Sequence, residues 1–145
     1  MIKYTLFTLA VLAKIATAES NSGLIIPLYV EATTTNGVCT QSDYIRVGTS
    51  ALADRTIAIL NGNNGPNTAD ADSTLRMQIC GNYLRGKGVK VVGYVHTKTG
   101  YPNINGYRSL ADVKTDIDTW SSTFNIDGIF VDEVSNMWPV NSYDS

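Results

Sequence analysis

One histidine and two cysteines are all that this 145-residue chain offers a borderline metal, and no two of them fall at ligand spacing. A zinc-type centre therefore has no support, and no metal is expected. Charge is sparse too: 11 basic residues stand against 13 acidic ones, scattered along the chain, for a net charge of −2. Nucleic acid would want a clustered basic face, so it is not expected as a partner. No apolar run reaches the about 20 residues that a membrane-spanning helix needs. There is no Asn-x-Ser/Thr acceptor, nucleophile elbow, phosphate loop or dinucleotide fingerprint, and no cofactor is expected.

What is present begins at the N-terminus. Lys3, an apolar stretch from Tyr4 to Ala13 and the small-x-small triplet Ala16-Thr17-Ala18 read as a signal peptide over residues 1–18. The expected product is secreted or held at the cell surface. Residues 19–145 then form one domain, about 127 residues, enough for a single modest core. Cys39 and Cys80 are candidates for a disulfide in an oxidising compartment; the alternative is two buried free thiols.

The rest of the chain alternates strand-like and helix-like segments. Leu24 to Val30, Thr56 to Leu60, Val89 to Val95 and Ile126 to Val131 are short apolar runs of strand type. Pro27 counts against a central position for the first of them. Between them lie helical patterns at Asp43 to Leu52, at Asp70 to Arg85 with a stripe of Leu75, Ile79 and Leu84, and from Ser109 with Val113, Ile117, Trp120 and Phe124. Asn61 to Asn67 and Thr97 to Tyr107 are loops dense in turn formers. The order β-α-β-α-β-α-β implies crossovers and a parallel sheet. The expected fold is α/β: a partial, half TIM-type β/α barrel of four parallel strands with three crossover helices. A complete barrel takes about 250 residues, so the sequence reads as an N-terminal half. A half-barrel could close by pairing with a second copy.

The chemistry concentrates where the fourth strand ends. Ile129-Phe130-Val131 gives way to adjacent carboxylates, Asp132 and Glu133. In β/α barrels that end of a strand is where reactions occur, although two acids can also mark simple strand-to-loop polarity. Asp70-Ala71-Asp72 has the look of a metal motif but is better explained as helix N-terminal charge.

Four segments in order, Gly23 to Val30 (GLIIPLYV), Ala58 to Asn67 (AILNGNNGPN), Val91 to Thr97 (VVGYVHT) and Asp127 to Glu133 (DGIFVDE), resemble the spherulin-4-like, or spherulation-specific family 4, cell-surface proteins. The resemblance covers most of Gly23 to Glu133. It implies a β/α barrel related to secreted glycoside hydrolases, some of which cleave galactosaminogalactan, and it implies active-site roles for Asp132 and Glu133. The sequence departs from the family at Asn61-Gly62, where Asn-Pro is usual, at Asn67, and in the long stretch after Thr97. A further active-site acid of the family lies in its second half and has no match here.

Glycoside hydrolysis uses two carboxyl groups flanking the bond. Glu133 is the expected acid/base, and Asp132 the nucleophile or orienting group. Glu31, after the first strand, is the one local substitute but reads as a solvated loop acid. Asp127 precedes the fourth strand and belongs to the opposite, stabilising end. Tyr29, Asn61, Asn64, Tyr94 and His96 are the candidate substrate-binding residues. Tyrosine rings pack on sugars, and amides both donate to and accept from hydroxyls. Asn61 and Asn64 also suit turns, and His96 also suits a structural role. The expected function is hydrolysis of an amino-sugar polysaccharide. The alternatives are a carbohydrate-binding surface protein without catalysis and a truncated product with no role of its own.

Overall fold

Residues 22–97 and 108–134 are described by a computed structural model of the chain. The expected signal peptide and most of the expected loop after Thr97 lie outside these residues.

Four short apolar runs form strands β1 (Leu24–Leu28), β4 (Thr56–Leu60), β5 (Lys90–His96) and β6 (Gly128–Asp132). They pair in parallel, in the order β1-β4-β5-β6. Strand order therefore follows chain order, as in a barrel; a doubly wound sheet would reverse direction partway. Helices α1 (Ser42–Gly48), α2 (Ala71–Gly86) and α3 (Leu110–Thr123) make the crossovers. The α/β reading with four parallel strands and three helices is borne out.

The helix starts follow from local hydrogen bonding. The Asp70 carboxylate accepts the Asp72 N–H at 3.1 Å, so Asp70 caps α2 and Asp72 adds an acid to its first turn. Ser109 and Asp112 form a reciprocal capping box on α3. Pro27 is tolerated because, among the described residues, β1 is an edge strand paired only with β4, where a missing N–H costs no ladder bond on the open side.

Alternation gives the sheet two faces. On one, Leu28, Ala58, Leu60, Val91 and Val95 pack with Met77, Cys80 and Leu84 of α2 and Val113 and Trp120 of α3. Trp120 fits only because residue 93 is glycine: a Cβ there would clash with the indole ring. The other face carries Ile25, Pro27, Ile57, Ile59, Val92, Tyr94 and Phe130 in register. Among the described residues no helix covers it, and Ile25 is 63% exposed and Ile57 36%.

Three local expectations are corrected. The first crossover also contains a hairpin, β2 (Thr34–Thr35) and β3 (Val38–Cys39). It turns on Asn36 and Gly37, with φ of 52° and 75°, and Asn-Gly between strand residues is the pair that such a turn requires. In α2, Leu84 is buried and Ile79 packs partly buried against the core as expected, but Leu75 is exposed, and Met77, Cys80 and Gly81 complete the buried stripe. The disulfide at Cys80 and the close approach of Gly81 to Leu60 rotate the helix, leaving Leu75 exposed. Finally, α1 stops at Gly48, where a Cβ would meet the Tyr83 ring at 2.6 Å, and a separate 3-10 turn covers Ala53–Arg55.

Cys39 and Cys80 are joined, with 4.9 Å between their Cα atoms. The bond ties the hairpin to α2 across a sequence separation of 41. In the chain-entropy account a loop of that size contributes about 4 kcal/mol. No helix among the described residues is long and apolar enough to cross a membrane.

Candidate functional site

Parallel strands in one sheet finish at the same edge, so their C-terminal tips bring together residues remote in sequence. Tyr29 follows β1, Asn61 follows β4, His96 ends β5, and Asp132 ends β6. Register sets His96 directly beside Asp132 and Tyr94 beside Phe130. All four belong to the face that no described helix covers.

Asp132 is the centre of this rim. The Tyr94 hydroxyl donates to its Oδ2 at 2.9 Å, and the Glu133 N–H donates to its Oδ1 at 2.8 Å. The second bond depends on an unusual backbone: Glu133 has φ of 55°, in the left-handed region. The strand thus ends between the two acids, and the rule that neighbours point to opposite faces no longer binds them. Glu133 is exposed, whereas Asp132 is partly buried.

The two tyrosines differ. Tyr94 is 6% exposed and Tyr29 50%. Their rings meet edge to face at 5.4 Å, and Tyr94 stacks on Phe130 at 6.2 Å. Burial, and then the bond to Asp132, push the Tyr94 hydroxyl well above its ordinary value, so it remains a donor throughout the neutral range. Burial and the nearby Asp132 charge raise Tyr29 as well.

Asn61 uses its side chain in the loop, where its Oδ1 accepts the Gly65 N–H at 3.1 Å. The Gly65 carbonyl in turn accepts from the N–H groups of Gly62 and Asn63. Asn64 takes a left-handed φ of 56° with its side chain outward, and its carbonyl lies 3.1 Å from His96 Nδ1. The same Nδ1 has the Arg108 guanidinium at 3.4 Å, so it sits between an acceptor and a donor, and its own role depends on the tautomer.

Arg108 and Asp116 were not anticipated. The Arg108 guanidinium donates to Asp116 Oδ2 at 2.6 Å, to the His96 carbonyl at 3.0 Å and to the Asp112 carbonyl at 3.3 Å. It thereby clamps the tip of β5 to the first turns of α3. The Asp116 carboxylate also lies against Gly65, where a Cβ would meet it at 2.8 Å. The only hint in the sequence is a basic residue just before a capping serine with an acid two turns on, a pattern too common to be read as a site.

Two other acids fall elsewhere. Glu31 is ion-paired to Arg76 at 2.8 Å. Asp127 lies at the opposite end of the sheet, where its carboxylate accepts the Val91 N–H at 2.9 Å and pairs with Arg85 at 2.6 Å and Lys90 at 3.7 Å. Burial opposes its charge, but these three partners outweigh burial and lower it below the usual carboxylate value. No cluster of metal-ligating side chains occurs among the described residues. A groove of about 380 Å³ runs between the free edge of β1 and α1, past Pro27, Val30, Val47 and Arg46, and none of the rim residues lines it.

A parallel β/α sheet in chain order, with an acid doublet at one strand tip and an aromatic face beside it, defines a protein of the β/α-barrel type. Residues 23–145 match the model of spherulation-specific family 4, and the chain belongs to that family. It is 36% identical over 121 residues to Spherulin-4 of Physarum polycephalum, an alignment covering 83% of this chain and 32% of that relative. The chain thus spans just under a third of the length of the relative it matches. No solved structure matches it.

Proposed function

We propose that this chain is a secreted, glycoside-hydrolase-like protein acting on an amino-sugar polysaccharide such as galactosaminogalactan. The observation that carries the reading is the pair Asp132 and Glu133 at the tip of β6, beside the exposed ring of Tyr29. Glu133, solvent-facing on its left-handed turn, is the proton-transferring acid/base. Asp132, held through both oxygens, is the nucleophile or orienting group. Tyr29 offers a face to a sugar ring, and His96, in register beside Asp132, lies at the same strand tips. The joined Cys39 and Cys80 support an oxidising, extracellular compartment and so favour the leader reading of residues 1–18.

Closure of the site is assigned to a second copy of the chain. Two sheets of four parallel strands make the eight of a barrel, with the β6 edge of one copy beside the β1 edge of the other. Ile25 and Ile57, exposed on the face that no described helix covers, favour it, since parallel sheets are covered on both sides.

A second reading, carbohydrate binding without cleavage, is favoured by one observation. Among the described residues the nearby carboxylates are already engaged: Asp116 is held by Arg108 and Glu31 by Arg76, while Asp127 lies at the far end. The two readings separate on Glu133→Gln. Polymer cleavage in the wild type, lost in the variant with polymer binding retained, supports the hydrolase. Binding without cleavage in both supports the second reading.

A further inference from the structure

We propose that Tyr94 is a positioning residue for the Asp132 carboxylate, not a surface on which sugar stacks. This rests on the hydrolase reading of the rim. A ring that is 6% exposed presents no face to a ligand, whereas Tyr29 beside it, at 50%, does.

The phenol is fixed from three directions. Edge contact with Tyr29 at 5.4 Å and stacking on Phe130 at 6.2 Å set the plane of its ring. Its backbone carbonyl accepts the buried Trp120 indole N–H at 2.8 Å, which pins β5 to α3 at this residue. That bond needs the indole close against the strand, which Gly93 permits.

Tyr94 is thus an arm reaching from the helix-side core through the sheet to the rim, and its hydroxyl ends on Asp132 Oδ2 at 2.9 Å. The carboxylate only accepts, so the proton direction is unambiguous. With Oδ1 taking the Glu133 N–H, a two-point hold defines the carboxylate plane. The same hold seats the turn that carries Glu133, so one phenol orders both acids. Burial keeps the hydroxyl protonated, so the arm does not release near neutral pH.

Two measurements on the full chain test this. The first is proton NMR of the wild type. A slowly exchanging, downfield tyrosine hydroxyl resonance is expected, absent in Tyr94→Phe and moved upfield in Asp132→Asn. Absence of that resonance, or its indifference to Asp132→Asn, overturns the assignment. The second is galactosaminogalactan cleavage. Tyr94→Phe is expected to lower kcat by about tenfold to a hundredfold with KM nearly unchanged, as small misplacements of catalytic groups do. Tyr29→Ala is expected to raise KM instead. An unchanged kcat in Tyr94→Phe, or a KM effect like that of Tyr29→Ala, overturns the positioning role. Unfolding midpoints of each variant separate these effects from lost folding. The hydroxyl resonance reports the hold whether or not the polymer is cut, so failure of the hydrolase reading and failure of the Tyr94 assignment are distinguishable.

Discussion

Tyr44 is fully buried, and among the described residues its hydroxyl has no hydrogen-bond partner. Burial pushes its ionisation up to about 12. A buried donor lacking an acceptor costs free energy that a phenyl ring of the same shape avoids, so Tyr44→Phe is expected to raise unfolding stability by about 1 kcal/mol in a denaturant titration. A loss of stability would mean that the hydroxyl has a partner, such as an ordered water. Tyr44 and Tyr94 show what a sequence tells at this scale. Both residue types and both positions are plain in the sequence, which marks Tyr94 only as a strand-tip aromatic. Its placement beneath the rim was not legible, because that depends on Trp120 docking from α3. The acid pair was legible from the abrupt change after Val131. The left-handed turn at Glu133 is not, since it sits at a non-glycine residue and goes with the bond to Asp132.

At the level of elements, the strands and α3 followed from apolar runs, a capping serine and three- and four-residue spacing. The α2 stripe is legible at Ile79 and Leu84 but not at Leu75, because spacing alone cannot choose between neighbouring faces; Cys80 and Gly81 make the choice through a covalent bond and a close backbone approach. The hairpin was missed although Asn36-Gly37 announces it, because strands of two residues leave no periodicity to follow. Asp127 joins the start of β6 to the start of β5 and the end of α2. Its folded-state value lies below the ordinary 3.8, so it binds fewer protons folded than unfolded. Its contribution is complete at pH values above 3.8 and is lost as pH falls through the lower folded value. Stability measured against pH is therefore expected to fall more steeply below 3.8 in the wild type than in Asp127→Asn, which forfeits the contribution at all pH values. Parallel curves for the two proteins would remove Asp127 from the account.

For the whole molecule, strand order and class were readable because each crossover is long enough to force parallel pairing. What no strand reveals alone is that one face of the sheet goes uncovered by any described helix, with Ile25 and Ile57 exposed on it. Light scattering coupled to size exclusion is expected to give twice the monomer mass, and Ile25→Glu with Ile57→Glu to return it to one. A wild type that is monomeric and fully folded contradicts closure by a second copy. The central claim, that the β6 tip is a carbohydrate-cleaving rim, is tested most directly by reducing-end release from galactosaminogalactan. Release by the wild type, abolished in both Asp132→Asn and Glu133→Gln, is the expected result. Release that persists in either variant, or none from a correctly folded wild type, contradicts it.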